Sequence, residues 1–203
     1  MKVIQPSHLL QEKLSLLSTD MGGVFTFGDL WNLIGLDSSA RTAKVLRRLV
    51  RDGILFKVRR GIYVTKNPDP WVLTCRLKSN ICISMDSALA RNGLIGTVPQ
   101  SVSAIYPGNT QSLQTPAGRI RYFKIKRDLL FGTTKGPNGT TFADSEKAYL
   151  DLLYYHTKGA RFVIDPLKDV DLWKLNMKKV VRYLRAYKNP KFRKFVEGLI
   201  HEI

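Results

Sequence analysis

The chain has 203 residues, 44% of them hydrophobic and 24% charged, a globular composition with room for one domain or two small ones. Its 33 Lys and Arg against 16 Asp and Glu give a formal net charge of +17, a field that draws polyanions, with nucleic acid the first candidate. Two cysteines (Cys75 and Cys82) and three scattered histidines (His8, His156 and His201) make neither a disulfide framework nor a zinc ligand set, and no apolar run approaches the roughly 20 residues of a membrane helix.

Pro6 is placed to open a helix, and Leu9, Leu10, Leu14 and Leu17 then recur at helical spacing. This start has no long apolar core or small-residue cleavage site, so no targeting segment is read and a cytoplasmic location is expected. Val24-Phe25 suits a short strand. Thr26 is a candidate N-cap for a helix from Phe27 to Ile34, with Asp29 completing a capping box and Gly35 ending the helix. Phe27 and Trp31 are expected in the core. Asp37 or Ser38 then caps a helix to about Asp52 with Thr42, Val45, Leu46, Leu49 and Val50 as its apolar stripe. Ile54–Val58 and Ile62–Val64 read as strands around the tight turn Arg59-Arg60-Gly61.

That order predicts a winged helix-turn-helix over residues 1–67 that binds double-stranded DNA. A recognition helix enters the major groove by its N-terminal end. Ser38, Ser39, Arg41 and Thr42 are therefore expected to face base edges or nearby phosphates, with Arg41 the first candidate for reading guanine. Lys44, Arg48 and Arg51, spaced along another face with Arg47 beside them, are expected to follow phosphates. Arg59 and Arg60 stand at the expected wing tip. A basic helix face alone is often only a solvated face. A basic face and a basic turn at this spacing make a stronger case together.

Asn67-Pro68-Asp69-Pro70 marks the expected domain boundary. Beyond it the sequence suggests a mixed α/β domain over residues 68–203, giving an α+β protein. Trp71–Lys78 reads as a short helix or extended stretch. Strands are expected at Ile81–Ser84, Val102–Tyr106, Arg119–Ile125 and around Leu129–Phe131, with helices over Asp86–Asn92 and Asp144–Tyr155. Gly132–Gly139 reads as a surface loop, and the tail from Val170 as helices broken at Asn189-Pro190. No catalytic constellation is found, so no enzyme activity, cofactor or metal is expected. Glu146 and Lys147 are expected to face solvent at a helix start.

Two phrases carry more information. One is Ser84-Met85-Asp86-Ser87-Ala88-Leu89-Ala90-Arg91-Asn92-Gly93-Leu94. The other is Ala143-Asp144-Ser145-Glu146-Lys147-Ala148-Tyr149-Leu150-Asp151-Leu152-Leu153. With Arg60-Gly61-Ile62-Tyr63-Val64 before them, they resemble the AbiEi family of antitoxin transcriptional regulators. Asn92 stands where that family usually has His, and Ser145 where it usually has Pro. The resemblance implies a type IV toxin–antitoxin or abortive-infection role. It implies an autorepressor that binds promoter inverted repeats and counters a nucleotidyltransferase-like toxin without a stable complex. The alternative is a winged-helix regulator with no antitoxin role, its C-terminal domain sensing a ligand or oligomerising.

The tail is basic as well. From Lys174 onward there are nine Lys or Arg and two acidic residues. Lys178, Arg182 and Arg185 share one face and form a possible second basic surface, opposite an expected buried face of Val180, Val181, Leu184 and Tyr187.

Overall fold

A computed structural model describes residues 7–201, and Pro6 lies outside them. The architecture is α+β. It divides into two compact units, the first running to Leu77 and taking in residues 114–118, the second holding Lys78–Leu113 and the chain from Arg119.

In the first unit, α1 (Ser7–Met21) is followed by β1 (Val24–Thr26), α2 (Phe27–Ile34), α3 (Ser39–Arg51), β2 (Phe56–Arg59), β3 (Ile62–Val64) and α4 (Pro70–Leu77). The strands form one antiparallel sheet in the order β1-β3-β2. Thr26 accepts from the Asp29 backbone N–H at 3.1 Å, and the Asp29 carboxylate accepts from the Thr26 N–H at 2.7 Å. That reciprocal box fixes where α2 begins. Gly35 ends α2 at φ 69°, a left-handed geometry that costs glycine nothing. The next three residues make the turn into α3. Leu10, Leu14, Phe25, Leu30, Leu46, Leu49, Leu55 and Tyr63 form the core of this unit. Trp71–Lys78, for which the sequence suggests a short helix or extended chain, is mostly helical: Pro70 opens α4, and the Asp69 carboxylate accepts from the N–H groups of Trp71 and Val72.

The second unit contains β4 (Cys82–Ile83), α5 (Met85–Arg91), β5 (Ser101–Tyr106), most of β6 (Gln111–Thr115) and of β7 (Gly118–Lys124), β8 (Thr133–Lys135), β9 (Thr141–Ala143), α6 (Ser145–His156), α7 (Met177–Leu184) and α8 (Pro190–His201). Its sheet is mixed, in the order β6-β7-β5-β4-β9-β8. β5 runs parallel to β7 and antiparallel to β4, while β4 and β9 run parallel. α5 and α6 pack against each other, with Ala88, Leu89, Leu150 and Leu153 fully buried in the core they share with α7 and α8.

Several expectations need correction. Residues Arg127–Leu129 form a 3-10 turn where a strand around Leu129–Phe131 was expected. The glycine-rich stretch Gly132–Gly139 carries β8, which pairs antiparallel with β9. Val181 is 40% exposed, so the buried side of α7 is made by Val180 and Leu184. Glu146 and Lys147 are both buried, and Lys147 shows no surface at all.

Candidate nucleic-acid interface

α3 is amphipathic in the strict sense: Thr42, Leu46 and Leu49 are buried, and Arg41, Lys44, Arg47, Arg48 and Arg51 are exposed. The spacing of 3 and 4 that puts Thr42, Leu46 and Leu49 on the core side turns the cations outward. Thr42 therefore cannot face a base edge in this conformation. It is fully buried, and its hydroxyl has no hydrogen-bond partner among the described residues. Ser38 occupies the N-cap position with extended backbone but makes no side-chain cap bond, and its carbonyl accepts from the Thr42 N–H at 3.0 Å. Ser38 is half-buried and Ser39 exposed.

The cations of α3 fall into two groups. Arg48 and Arg51 both reach Asp52, at 3.5 and 3.2 Å, at the helix's negative end. Arg41, Lys44 and Arg47 pair with no carboxylate among the described residues. Arg41 and Lys44 thus place unpaired charge on the first half of α3, near its positive end, and Arg47 extends it.

Arg59 and Arg60 are exposed at the turn between β2 and β3. Gly61 supplies φ 78° there, and the register shifts between Lys57 and Arg59. A bulge of this kind re-aims side chains. The turn is anchored, since the Phe27 N–H at the start of α2 donates to the Gly61 carbonyl at 2.9 Å. Lys57, exposed on β2, adds a cation that the reading of the turn passed over. Its alternation with Arg59 along the strand was the available signal. Trp31 is 37% exposed; its indole donates to the Leu36 carbonyl at 2.7 Å and its ring meets Phe27 edge-on. It braces the turn between α2 and α3 more than it fills the core.

The segment Ala143–Leu153 makes a polar lock. Asp144 caps α6 by accepting from the Lys147 N–H at 2.9 Å, and also accepts from the Tyr183 hydroxyl at 2.9 Å. Lys179 bridges Asp144 at 3.2 Å and Glu146 at 2.7 Å, and the Asn176 N–H donates to Glu146 at 3.0 Å. Burial disfavours ionised Glu146, but the Lys179 ammonium and the Asn176 N–H outweigh it and hold the carboxyl below its usual range. Deeper in, Lys147 pairs with Asp151 and donates to the Tyr187 hydroxyl at 3.0 Å. Tyr187 and Ser84 donate to Asp151 at 2.8 and 2.7 Å. Burial, then the Asp151 charge, pushes the Tyr187 phenol well above its ordinary range, so it remains a donor. Asn92 and Ser145, the two departures from the family phrases, touch each other: the Asn92 amide donates to the Ser145 hydroxyl at 3.2 Å.

Lys178, Arg182 and Arg185 are all exposed and pair with no carboxylate among the described residues. Among those residues no three His, Cys, Asp or Glu side chains gather where they could hold a metal, and no helix is long and apolar enough to cross a membrane.

As a class, this is an α+β protein with exposed cations along α3 and at the β2–β3 turn. Residues 13–66, spanning α2, α3 and the β2–β3 turn, match the family model for AbiEi antitoxin transcriptional regulators. The match covers about a quarter of the chain, and of the phrases that carry the resemblance it includes Arg60-Gly61-Ile62-Tyr63-Val64 alone. No curated protein matches the chain.

Proposed function

We propose that the protein is a DNA-binding autorepressor and antitoxin. In this reading residues 1–67 form a winged helix-turn-helix, with α3 as recognition helix and the β2–β3 turn as wing. The observation that carries it is the exposure of Arg41, Lys44 and Arg47 along α3 and of Arg59 and Arg60 at the turn, all inside the matched span. Ser39 and Arg41 sit at the helix end that enters a major groove, and Arg41 has the fork geometry to read guanine. Ser38 contributes through its backbone at the helix start. Lys44, Arg47, Arg48 and Arg51 hold phosphates, and Arg59 and Arg60 grip the minor groove or the backbone beside it. The targets are inverted repeats near the protein's own promoter, in the cytoplasm. Residues 68–203 carry the antitoxin role against a nucleotidyltransferase-like toxin, without a stable complex. No catalysis is assigned to either part.

A reporter driven by the protein's own promoter, in cells carrying or lacking the toxin gene, tests both halves. Repression lost in Arg41→Ala with Arg60→Ala, and toxin survival lost on deletion of residues beyond 67, is the expected pattern. Repression without protection would leave a regulator that is no antitoxin. Unchanged repression in the double variant would remove the DNA-binding assignment.

A further inference from the structure

Two adjoining cavities of the second unit, of about 260 and 410 Å³, share Lys126 and Tyr154 in their walls. Four further cations line them: Lys124 at the end of β7, Arg127 in the turn after it, Lys158 just beyond α6 and Lys188 between α7 and α8. One carboxylate lines them too, Asp128, 3.8 Å from Lys188. Lys124, Lys126, Arg127 and Lys158 pair with no carboxylate among the described residues. Like charges converge here from separate places in the chain. A concave wall focuses their field, and an anion relieves it.

The wall between the cavities is aromatic and fixed. Tyr154 meets Tyr187 and Phe192 edge-on, at 5.4 and 5.2 Å between ring centroids. Tyr187 is itself tied to Asp151 and Lys147. The ammonium of exposed Lys158 lies over the Tyr154 ring, 3.9 Å from its centroid. A planar ligand can displace that exposed side chain and keep its charge nearby. Cavities of this volume suit one small planar group with its phosphate, and a double helix is too wide to enter. Splayed nucleotides of a single strand are held in this way, by cations along the backbone and an aromatic face under the base.

We propose that this cleft binds a nucleotide unit, its phosphate on Lys124, Lys126, Arg127 and Lys158 and its base or ribose against Tyr154. The chemistry is shared by a free nucleotide and by one residue of a single-stranded nucleic acid. The site uses no residue of α3 or of the β2–β3 turn, so it stands apart from the promoter-binding assignment.

The test is fluorescence anisotropy of a short labelled oligouridylate with the full chain and three competitors. Lys126→Glu with Lys158→Glu, both exposed and removable without opening the core, is expected to weaken binding about tenfold or more at moderate salt. Arg41→Ala with Arg60→Ala is expected to leave this binding within about twofold while abolishing promoter binding. Displacement of the probe by uridine monophosphate assigns the cleft to a free nucleotide. Displacement only by unlabelled oligouridylate assigns it to a strand. Full affinity in the glutamate variant, equal loss in the alanine variant, or equal competition by duplex DNA would overturn the proposal.

Discussion

Lys147 is fully buried, with Asp151 and the Tyr187 hydroxyl as its partners. Removing one member of a buried ion pair leaves the other uncompensated, so Lys147→Met is expected to destabilise the second unit by about 3–5 kcal/mol. Adding Asp151→Leu is expected to restore much of that loss, and urea denaturation of single and double variants measures the coupling. Glu146 carries a pH dependence whose sign is fixed by its environment. Its folded pKa lies below the ordinary 4.5, so its stabilisation is present above that value and is lost as pH falls through the folded pKa. Melting temperature is expected to fall on acidification through that window, and less steeply in Glu146→Gln. These residues show what a sequence can and cannot carry. The i, i+4 spacing of Lys147 and Asp151 was visible, but their burial depends on Tyr187, a contact 40 residues away. Thr42 is the opposite case. Its spacing with Leu46 and Leu49 places it on the core side, and that periodicity outweighs its position near the helix end.

Among the elements, α2 and the β2–β3 turn act together. The capping box sets the start of α2, and the Phe27 N–H ties that start to Gly61. Thr26→Ala removes one side of the box and is expected to cost about 1 kcal/mol, read as a lower denaturation midpoint with an unchanged slope. The same local chemistry made α2 legible from sequence, since Thr26, Asp29 and Gly35 each act within a few residues. β6 and β8 were not legible. Gln111–Thr115 and Thr133–Lys135 are mostly polar, and β8 is exposed throughout, so neither shows the alternation that marks a half-buried strand. β8 exists because β9 offers it an antiparallel partner, in the register Thr133↔Ala143. β4 spans two residues and is likewise defined by its neighbours, β5 and β9. The 3-10 turn at Arg127–Leu129 buries Leu129, the first of the three apolar residues, Leu129–Phe131, that suggest a strand.

At the scale of the whole molecule, a net charge of +17 is divided between two units with different arrangements of cations. In the first, the unpaired ones stand out along α3 and at a turn; in the second, they also line a cleft. The central claim is that α3 and the β2–β3 turn grip duplex DNA. It is tested most directly by titrating the purified chain against the duplex upstream of its own gene at several salt concentrations. A retarded complex is expected whose affinity falls steeply, by about 10³-fold or more between about 50 and 200 mM salt, as phosphate contacts release counterions. Loss of the complex is expected in Arg41→Ala with Arg60→Ala. Binding that is absent at moderate salt, or unchanged in that double variant, would contradict it.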